Sequence, residues 1–287
     1  MLLSEASQRY ALANLRSASS QSLRLWEIAL RWFDRCLGRP AELTDLNDES
    51  VARFILWRRK TVSAGTINRD LGTILALWRW CHRQRLVDVW PTIELEPVPA
   101  RTPIAWTRRE FNRLYHVAMT QRGDIGNVRA DVWWPALLLV LYDTGERIGA
   151  VLRLVWNDVD LRGRWIRFPA ENRKGRTRDS LARIAPDTVT HLRRLRRSPG
   201  PVFPWPYGYT YVWFRYGRLL REAGLPDDRA RKFHCVRKTT ASHLEALGGN
   251  ATDALRHSSR RITLLYLDPK ITKPAQPIDR LWRPDSK

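Results

Sequence analysis

Apolar residues recur at intervals of three and four through much of the first third of the chain, which is the period of a helix that buries one face. The pattern is strong in LRLWEIALRWFDRCL and in INRDLGTILALWRWCHRQRLV. Between these segments, residues 45–49 (DLNDE) precede VARFILWRRK and predict a capped helix. Because residues 20–87 contain almost no proline, we predict an all-helical bundle there.

The segment PTIELEPVPARTP, residues 91–103, has a different character. It is rich in proline and has no sustained period, so it predicts an extended linker. The chain is therefore expected to form two domains, a helical one over residues 1–90 and a second over residues 104–287.

Helical patterns dominate the second half as well. TRREFNRLYHVAM and VWWPALLLVLYDTG predict helices, the latter largely buried, and further helices are predicted in DTVTHLRRLRR, YTYVWFRYGRLLREAG, HCVRKTTASHLEAL and SSRRITLLYL. RWIRFPAENRKGRTRDSLARIAP instead predicts two short strands around a polar turn, and the tail from residue 268 reads as irregular. The predicted fold class is mainly α with a small antiparallel β-sheet.

Charge narrows the choice of partner. The chain carries 50 Lys and Arg against 29 Asp and Glu, a formal net charge of +21. Such an excess attracts polyanions, and arginine forks suit phosphate, so nucleic acid is the leading partner. No basic amphipathic helix stands apart from the fold pattern, which argues against a membrane surface.

Cysteine content and hydropathy bear on the compartment. Three cysteines without a CxxC pair indicate neither a disulfide framework nor a zinc site, and they suit a reducing cytoplasm. The apolar run LLLVLY is too short to span a bilayer. We therefore expect a soluble cytoplasmic protein, associated with the nucleoid when it is bound to DNA.

Six residues in the second half have the side chains that phosphoryl transfer to a tyrosine requires. They are Arg147 in TGERI, Lys174 in ENRKGRTRDS, His234 and Arg237 in FHCVR, His257 in LRHSS and Tyr266 in LLYLDP. Arginines hold phosphate oxygens bidentately, a phenol can attack phosphorus, and lysine or histidine can move protons. Each motif alone is weakly specific, but the ordered set is hard to match by accident.

This set resembles the tyrosine recombinases of the phage integrase family. The family pattern is an Arg in a TGxR turn, a Lys on a β-hairpin, H-x-x-R, a later His, and a Tyr nine residues beyond it, as His257 and Tyr266 are spaced here. The resemblance implies a site-specific recombinase or integrase that closes as a clamp around double-stranded DNA. It also implies strand exchange through a 3′-phosphotyrosyl intermediate in a synaptic tetramer, without metal or cofactor.

The resemblance also implies roles for individual residues. Tyr266 would be the nucleophile, Lys174 the general acid, and His234 an aid to proton movement. Arg147, Arg237 and His257 would stabilise the charged transition state. In the amino-terminal domain, TINRDLGTILALWRWCHRQRLV resembles the last long helix of the family's core-binding domain. The residues expected to contact DNA there are Thr66, Arg69 and Arg79.

Three features depart from the family pattern. Ala150 occupies a position where the family often has an acid, Arg256 replaces the glycine that usually precedes the later histidine, and the connection from Arg237 to His257 is short. A catalytically weakened, recombinase-derived DNA-binding protein is therefore one alternative. A type IB topoisomerase-like enzyme, which shares the chemistry without synapsis, is another.

Overall fold

The computed structural model describes residues 1–15, 18–172, 178–195 and 199–272. The chain divides into two compact units, Met1–Ala100 and Arg101–Lys287. The division falls within the segment predicted to be a linker. Each unit has a separate core of buried apolar side chains.

The first unit is a bundle of helices, as its sequence pattern predicts. Its four described helices are α1 (Leu3–Asn14), α2 (Ser20–Leu37), α3 (Asp48–Arg59) and α4 (Ala64–Arg83). Side-chain caps begin two of them: Ser19 accepts the Ser22 amide at α2, and Asn47 accepts the Ser50 amide at α3. Helix α1 was not predicted, because its apolar residues do not follow a strong helical period and only Leu3, Ala6 and Ser7 are buried.

Part of the predicted linker packs on the first unit. The Thr92 amide donates to Asp48 Oδ1 (3.2 Å), and the Glu96 amide donates to Asn68 Oδ1 (2.7 Å). Asn68 Nδ2 in turn donates to the Glu96 carbonyl (2.8 Å). Residues 92–96 are therefore extended but fixed, because side chains of α3 and α4 satisfy their backbone groups.

The second unit is mainly helical with small antiparallel sheets. Its helices are α5 (Arg108–Met119), α6 (Ala130–Thr144), α7 (Ile148–Val151), α8 (Pro186–Leu195), α9 (Tyr209–Glu222), α10 (Phe233–Ala246), α11 (Ala251–Leu255), α12 (Arg260–Leu264) and α13 (Pro269–Thr272). Its strands are β1 (Asp124–Ile125), β2 (Val128–Arg129), β3 (Val159–Asp160), β4 (Trp165–Phe168) and β5 (Ser180–Arg183). The predicted fold class is confirmed.

Helix α6 is the centre of this unit. Most of its side chains are buried, and it packs against α5, α8 and α10. This burial explains the continuous apolar run that the sequence shows there. Trp133 on α6 is fully buried, as is Trp78 in the first unit, and Trp156 is 8% exposed. These tryptophans are core residues.

The three-stranded sheet has the order β3-β4-β5, all antiparallel, so the predicted hairpin of β4 and β5 gains a third strand. Ile166 pairs with Ala182 and Phe168 with Ser180. The loop between these strands includes residues 173–177 and thus Lys174, which lies outside the described residues. Residues 273–287 also lie outside the described residues. Of the tail predicted to be irregular from residue 268, the first part forms the short helix α13. In the part of the chain that the structure describes, no helix combines the length and apolar character needed to cross a membrane.

Candidate active site

Arg147 is presented by a tight turn at the end of α6. Gly145 ends that helix in the left-handed conformation (φ 59°), and a Cβ at this position would stand 2.5 Å from Leu255 Cδ2. Glycine is therefore favoured by its backbone conformation, and it allows close packing on α11. Arg147 follows two residues later as the N-cap of α7, on a rigid and buried scaffold.

Arg237 joins this turn to the segment that contains His257. It lies on α10 and is only 2% exposed. Its Nη1 donates to the Gly145 carbonyl, and its Nη2 donates to the Leu255 carbonyl (2.9 Å) and contacts His257 Nε2 (3.0 Å). Burial and the nearby Arg147 cation lower the pKa of Arg237 to about 10, so the guanidinium stays charged at neutral pH.

The hydrogen bonds of His257 define its tautomer. Arginine only donates, so His257 Nε2 accepts from Arg237 and the proton of the neutral ring lies on Nδ1. Nδ1 then donates to Thr263 Oγ1 (3.0 Å), which donates to Thr252 Oγ1 (3.0 Å). Burial, Arg237 and Arg147 lower the pKa of His257 to about 4, so the ring is neutral at pH 7. The short connection from Arg237 thus still brings this histidine to the arginine.

Tyr266 lies among these side chains. Its ring centroid is 5.1 Å from that of His234 and 4.6 Å from that of His257, and Arg237 Cζ lies 5.6 Å from its centroid. The sequence pattern predicts a helix through this tyrosine, but α12 ends at Leu264 and Tyr266 lies in the following turn. In this turn the Tyr266 ring lies against the two histidines, whereas the preceding residue, Leu265, is largely exposed.

His234 lies on the same helix as Arg237. It is the second residue of α10, three positions before Arg237, and it lines a cavity with Arg147 and Arg237. Desolvation in the cleft and the neighbouring cations Arg237, Lys238 and Arg147 lower the pKa of His234 to about 4.

Buried polar contacts hold the segment after the tyrosine. The Asp268 amide donates to Ser242 Oγ (2.9 Å), and Asp268 Oδ2 accepts the Ala105 amide (3.0 Å). Ser242 Oγ also donates to the Tyr266 carbonyl (3.4 Å). The position of Tyr266 is therefore set by α10 and by the start of the second unit.

A cavity of about 480 Å³ connects Arg147, His234 and Arg237. Three of its other lining residues were not predicted from the sequence: Glu146, Arg153 and Tyr209. Arg153 Nη2 donates to the carbonyl of Asn172 (2.5 Å), at the described base of the loop that contains Lys174. No local motif marks these residues, although Glu146 adjoins Arg147.

The residues predicted to contact DNA in the first unit all lie on α4. Arg69 and Arg79 are exposed, and Thr66 is half-buried. Arg69 also donates to the buried carboxylate of Asp70 through Nε (3.1 Å) and Nη2 (2.8 Å). A helix turns by about 100° per residue, which places Arg69 and Arg79 on one exposed stripe and Thr66 at its edge.

Comparisons with known proteins agree with the resemblance to tyrosine recombinases. None of the known protein-family models matches the chain. The tyrosine recombinase XerC of Xanthomonas axonopodis pv. citri (strain 306) is 24% identical over 242 residues, which cover 79% of this chain and 75% of the relative.

Solved structures with a similar fold include three integrase complexes. The Tn1549 transposon integrase with transposon right end DNA has a TM-score of 0.74 and 15% identity, covering 93% of this chain and 94% of that one. A lambda integrase dimer bound to a COC′ core site has a TM-score of 0.72 and 16% identity, covering 100% and 99%. A lambda integrase tetramer bound to a Holliday junction has a TM-score of 0.73 and 15% identity, covering 93% and 78%.

Proposed function

We propose that this chain, which has the fold of the tyrosine recombinases of the integrase family, is a site-specific recombinase that cuts and rejoins DNA through Tyr266. The observation that carries the proposal is the placement of the Tyr266 ring beside His234, Arg237 and His257. Arg147 lines a cavity together with His234 and Arg237. A nucleophile and the charges that a phosphate requires are thus within one site.

In the proposed cleavage step, Tyr266 Oη forms a bond to phosphorus while the bond from phosphorus to the 5′ oxygen breaks. The products are a 3′-phosphotyrosyl ester and a free 5′ hydroxyl. Arg147 and Arg237 stabilise the negative charge that develops on the non-bridging oxygens, which is worth most in a site that water enters poorly. The ester keeps the energy of the broken bond, so rejoining is the reverse attack by a 5′ hydroxyl.

Two proton transfers accompany this exchange. Both ring nitrogens of His257 are engaged, by Arg237 and by Thr263, so we assign receipt of the phenol proton to His234. The lowered pKa of His234 leaves its ring neutral and able to accept a proton at pH 7. The 5′ oxygen takes its proton from Lys174, a role that rests on the sequence resemblance.

Double-stranded DNA is the proposed partner of both units. The net charge of +21 supports it, and so do the exposed Arg69 and Arg79 on α4. Lambda integrase, which has a similar fold, has been solved as a dimer bound to a core site and as a tetramer bound to a Holliday junction. We propose that this chain likewise assembles on DNA, as a synaptic tetramer, in the cytoplasm where it meets the nucleoid.

The alternatives make different predictions. A type IB topoisomerase-like enzyme would relax supercoiled DNA without a specific site, and a binding protein derived from a recombinase would bind DNA without forming a covalent adduct. Nothing in the site or in the comparisons favours either alternative.

Trapping of the covalent intermediate tests the proposal. A binding site is first selected from genomic fragments, and a duplex with that site is then nicked so that the short cleaved piece diffuses away. The wild-type protein should form a DNA adduct that survives denaturing electrophoresis. Tyr266→Phe should abolish the adduct while it retains DNA binding.

The matched control is Tyr209→Phe, which removes the hydroxyl of a tyrosine that lines the cavity with Arg147, His234 and Arg237. This variant should still form the adduct. Adduct formation by Tyr266→Phe would assign the nucleophile to another residue, and its absence from the wild type on a verified site would refute the proposed activity.

A further inference from the structure

Arg256 holds a backbone conformation that arginine rarely adopts. It ends α11 with φ 56° and ψ 44°, in the left-handed region. The Cβ of an L-residue is sterically disfavoured there, and glycine avoids this cost. A favourable contact of the arginine side chain has to offset it.

The side chain of Arg256 makes three such contacts. Nη2 donates to the Leu181 carbonyl (2.6 Å), Nη1 donates to the Ala254 carbonyl (3.1 Å), and Nη1 lies 3.6 Å from Glu146 Oε1. The guanidinium therefore joins the strand β5, the end of α11 and the turn that presents Arg147.

Glu146 is the acidic partner in this arrangement. Its side chain is 1% exposed, and its Oε2 accepts the backbone amide of Arg147 (3.2 Å). A carboxylate this deeply buried needs cationic or hydrogen-bonding partners, and Arg256 supplies one. The sequence resemblance expects an acid at position 150, where Ala150 is instead buried among apolar residues. Glu146 instead places a carboxylate at the turn that presents Arg147.

The contacts of Arg256 run parallel to those of Arg237. Arg237 joins the Gly145 and Leu255 carbonyls, and Arg256 joins Glu146 and the Ala254 carbonyl, one residue away in each segment. Arg256 adds a contact that Arg237 lacks, to Leu181 on the edge strand β5. That strand follows the loop that contains Lys174.

We infer that Glu146 and Arg256 form a positioning pair for the proposed cleavage reaction. The pair holds the Arg147 turn, the segment of His257 and strand β5 in one arrangement before DNA binds. Neither residue is assigned contact with the scissile phosphate. The inference rests on the proposed function, and it predicts that loss of the pair slows the chemical step rather than weakening DNA binding.

The decisive variant is Arg256→Gly, because it removes the side-chain contacts and the backbone strain together. We expect adduct formation at saturating nicked duplex to slow by about ten- to a hundredfold. The dissociation constant for DNA should change less than about threefold. Guanidinium ion at millimolar concentration should restore part of the rate, while sodium chloride at the same ionic strength should not.

Arg164→Gly is the matched control, since Arg164 also has a left-handed backbone (φ 62°), in the turn between β3 and β4. It should leave the cleavage rate unchanged. Glu146→Gln should also slow cleavage, and the double variant should be little slower than Arg256→Gly, because both changes remove the contact between Glu146 and Arg256.

A structural measurement separates failure of this inference from failure of the proposed function. Hydrogen exchange of the unliganded protein should become faster in residues 145–148 and in β5 when Arg256 is replaced by glycine, and not when Arg164 is. A wild-type cleavage rate for Arg256→Gly, or a loss explained wholly by weaker DNA binding, would overturn the inference. Absence of any adduct from the wild type would instead refute the recombinase proposal, and the exchange result would then decide whether the pair couples these segments.

Discussion

Replacement of Thr263 by valine tests the tautomer assigned to His257. Thr263 Oγ1 accepts the Nδ1 proton of His257 and donates to Thr252 Oγ1. Thr263 is fully buried, and valine has nearly its shape, so the substitution removes the hydroxyl with little change in volume. The Nδ1–H group of His257 then has no acceptor at that position.

The expected loss follows from the cost of one unsatisfied donor. Leaving a buried donor without a partner costs about 1–3 kcal/mol, and each 1.4 kcal/mol corresponds to a factor of about ten. If the cost falls on the arrangement that cleaves DNA, the rate should fall by about five- to 150-fold. Thr252→Val should have a smaller effect, because Thr263 can still accept from His257.

The assay is the rate of adduct formation on the nicked duplex at saturating DNA, together with the ¹⁵N chemical shifts of the His257 ring. Wild-type shifts should show a proton on Nδ1, and Thr263→Val should lose this preference. Thr190→Val is the control, since Thr190 donates to a carbonyl on an exposed face of α8. An unchanged rate in Thr263→Val, or a wild-type proton on Nε2, would refute the reasoning.

Three further predictions concern stability and binding. The pKa values of His234 and His257 are about 4 in the native protein, so the unfolded chain binds more protons than the native protein between about pH 4 and 6.5. The free energy of unfolding should therefore fall as the pH is lowered through this window. Urea denaturation at several pH values should show a weaker pH dependence in His257→Gln than in the wild type. Gly72→Ala on α4, where a Cβ meets nothing within 4 Å, should raise the free energy of unfolding by about 0.5–1 kcal/mol. It should also weaken duplex binding in a filter assay, and unchanged affinity would place DNA away from that face. Asp70→Asn leaves the buried guanidinium of Arg58 without its carboxylate partner at 2.6 Å. Chemical denaturation should show a free energy of unfolding lower by about 3–5 kcal/mol. Replacing Arg58 by Met and Asp70 by Leu together should recover much of that loss.

Local pattern predicted those features that depend on neighbouring residues. The period of the apolar residues predicted α2, α4 and α6 because burial of one helix face, or of the whole helix, is recorded in the sequence. Spacing also placed His234 and Arg237 on one face of α10, because three residues make almost one helical turn. Helix α1 and the end of α12 before Tyr266 were missed, since short helices depend on tertiary packing more than on their own pattern.

The sequence by itself determined the fold class, the order of the candidate catalytic residues and the excess of positive charge. Only the tertiary structure decided which side chains meet. Arg237 contacts the carbonyl of Gly145, 92 positions away, and Arg256 meets Glu146 across the same two segments. No spacing rule records such contacts, because they arise from packing of α10 and α11 against the turn after α6. The tautomer of His257 and the buried charge beside Arg147 are set by that packing alone.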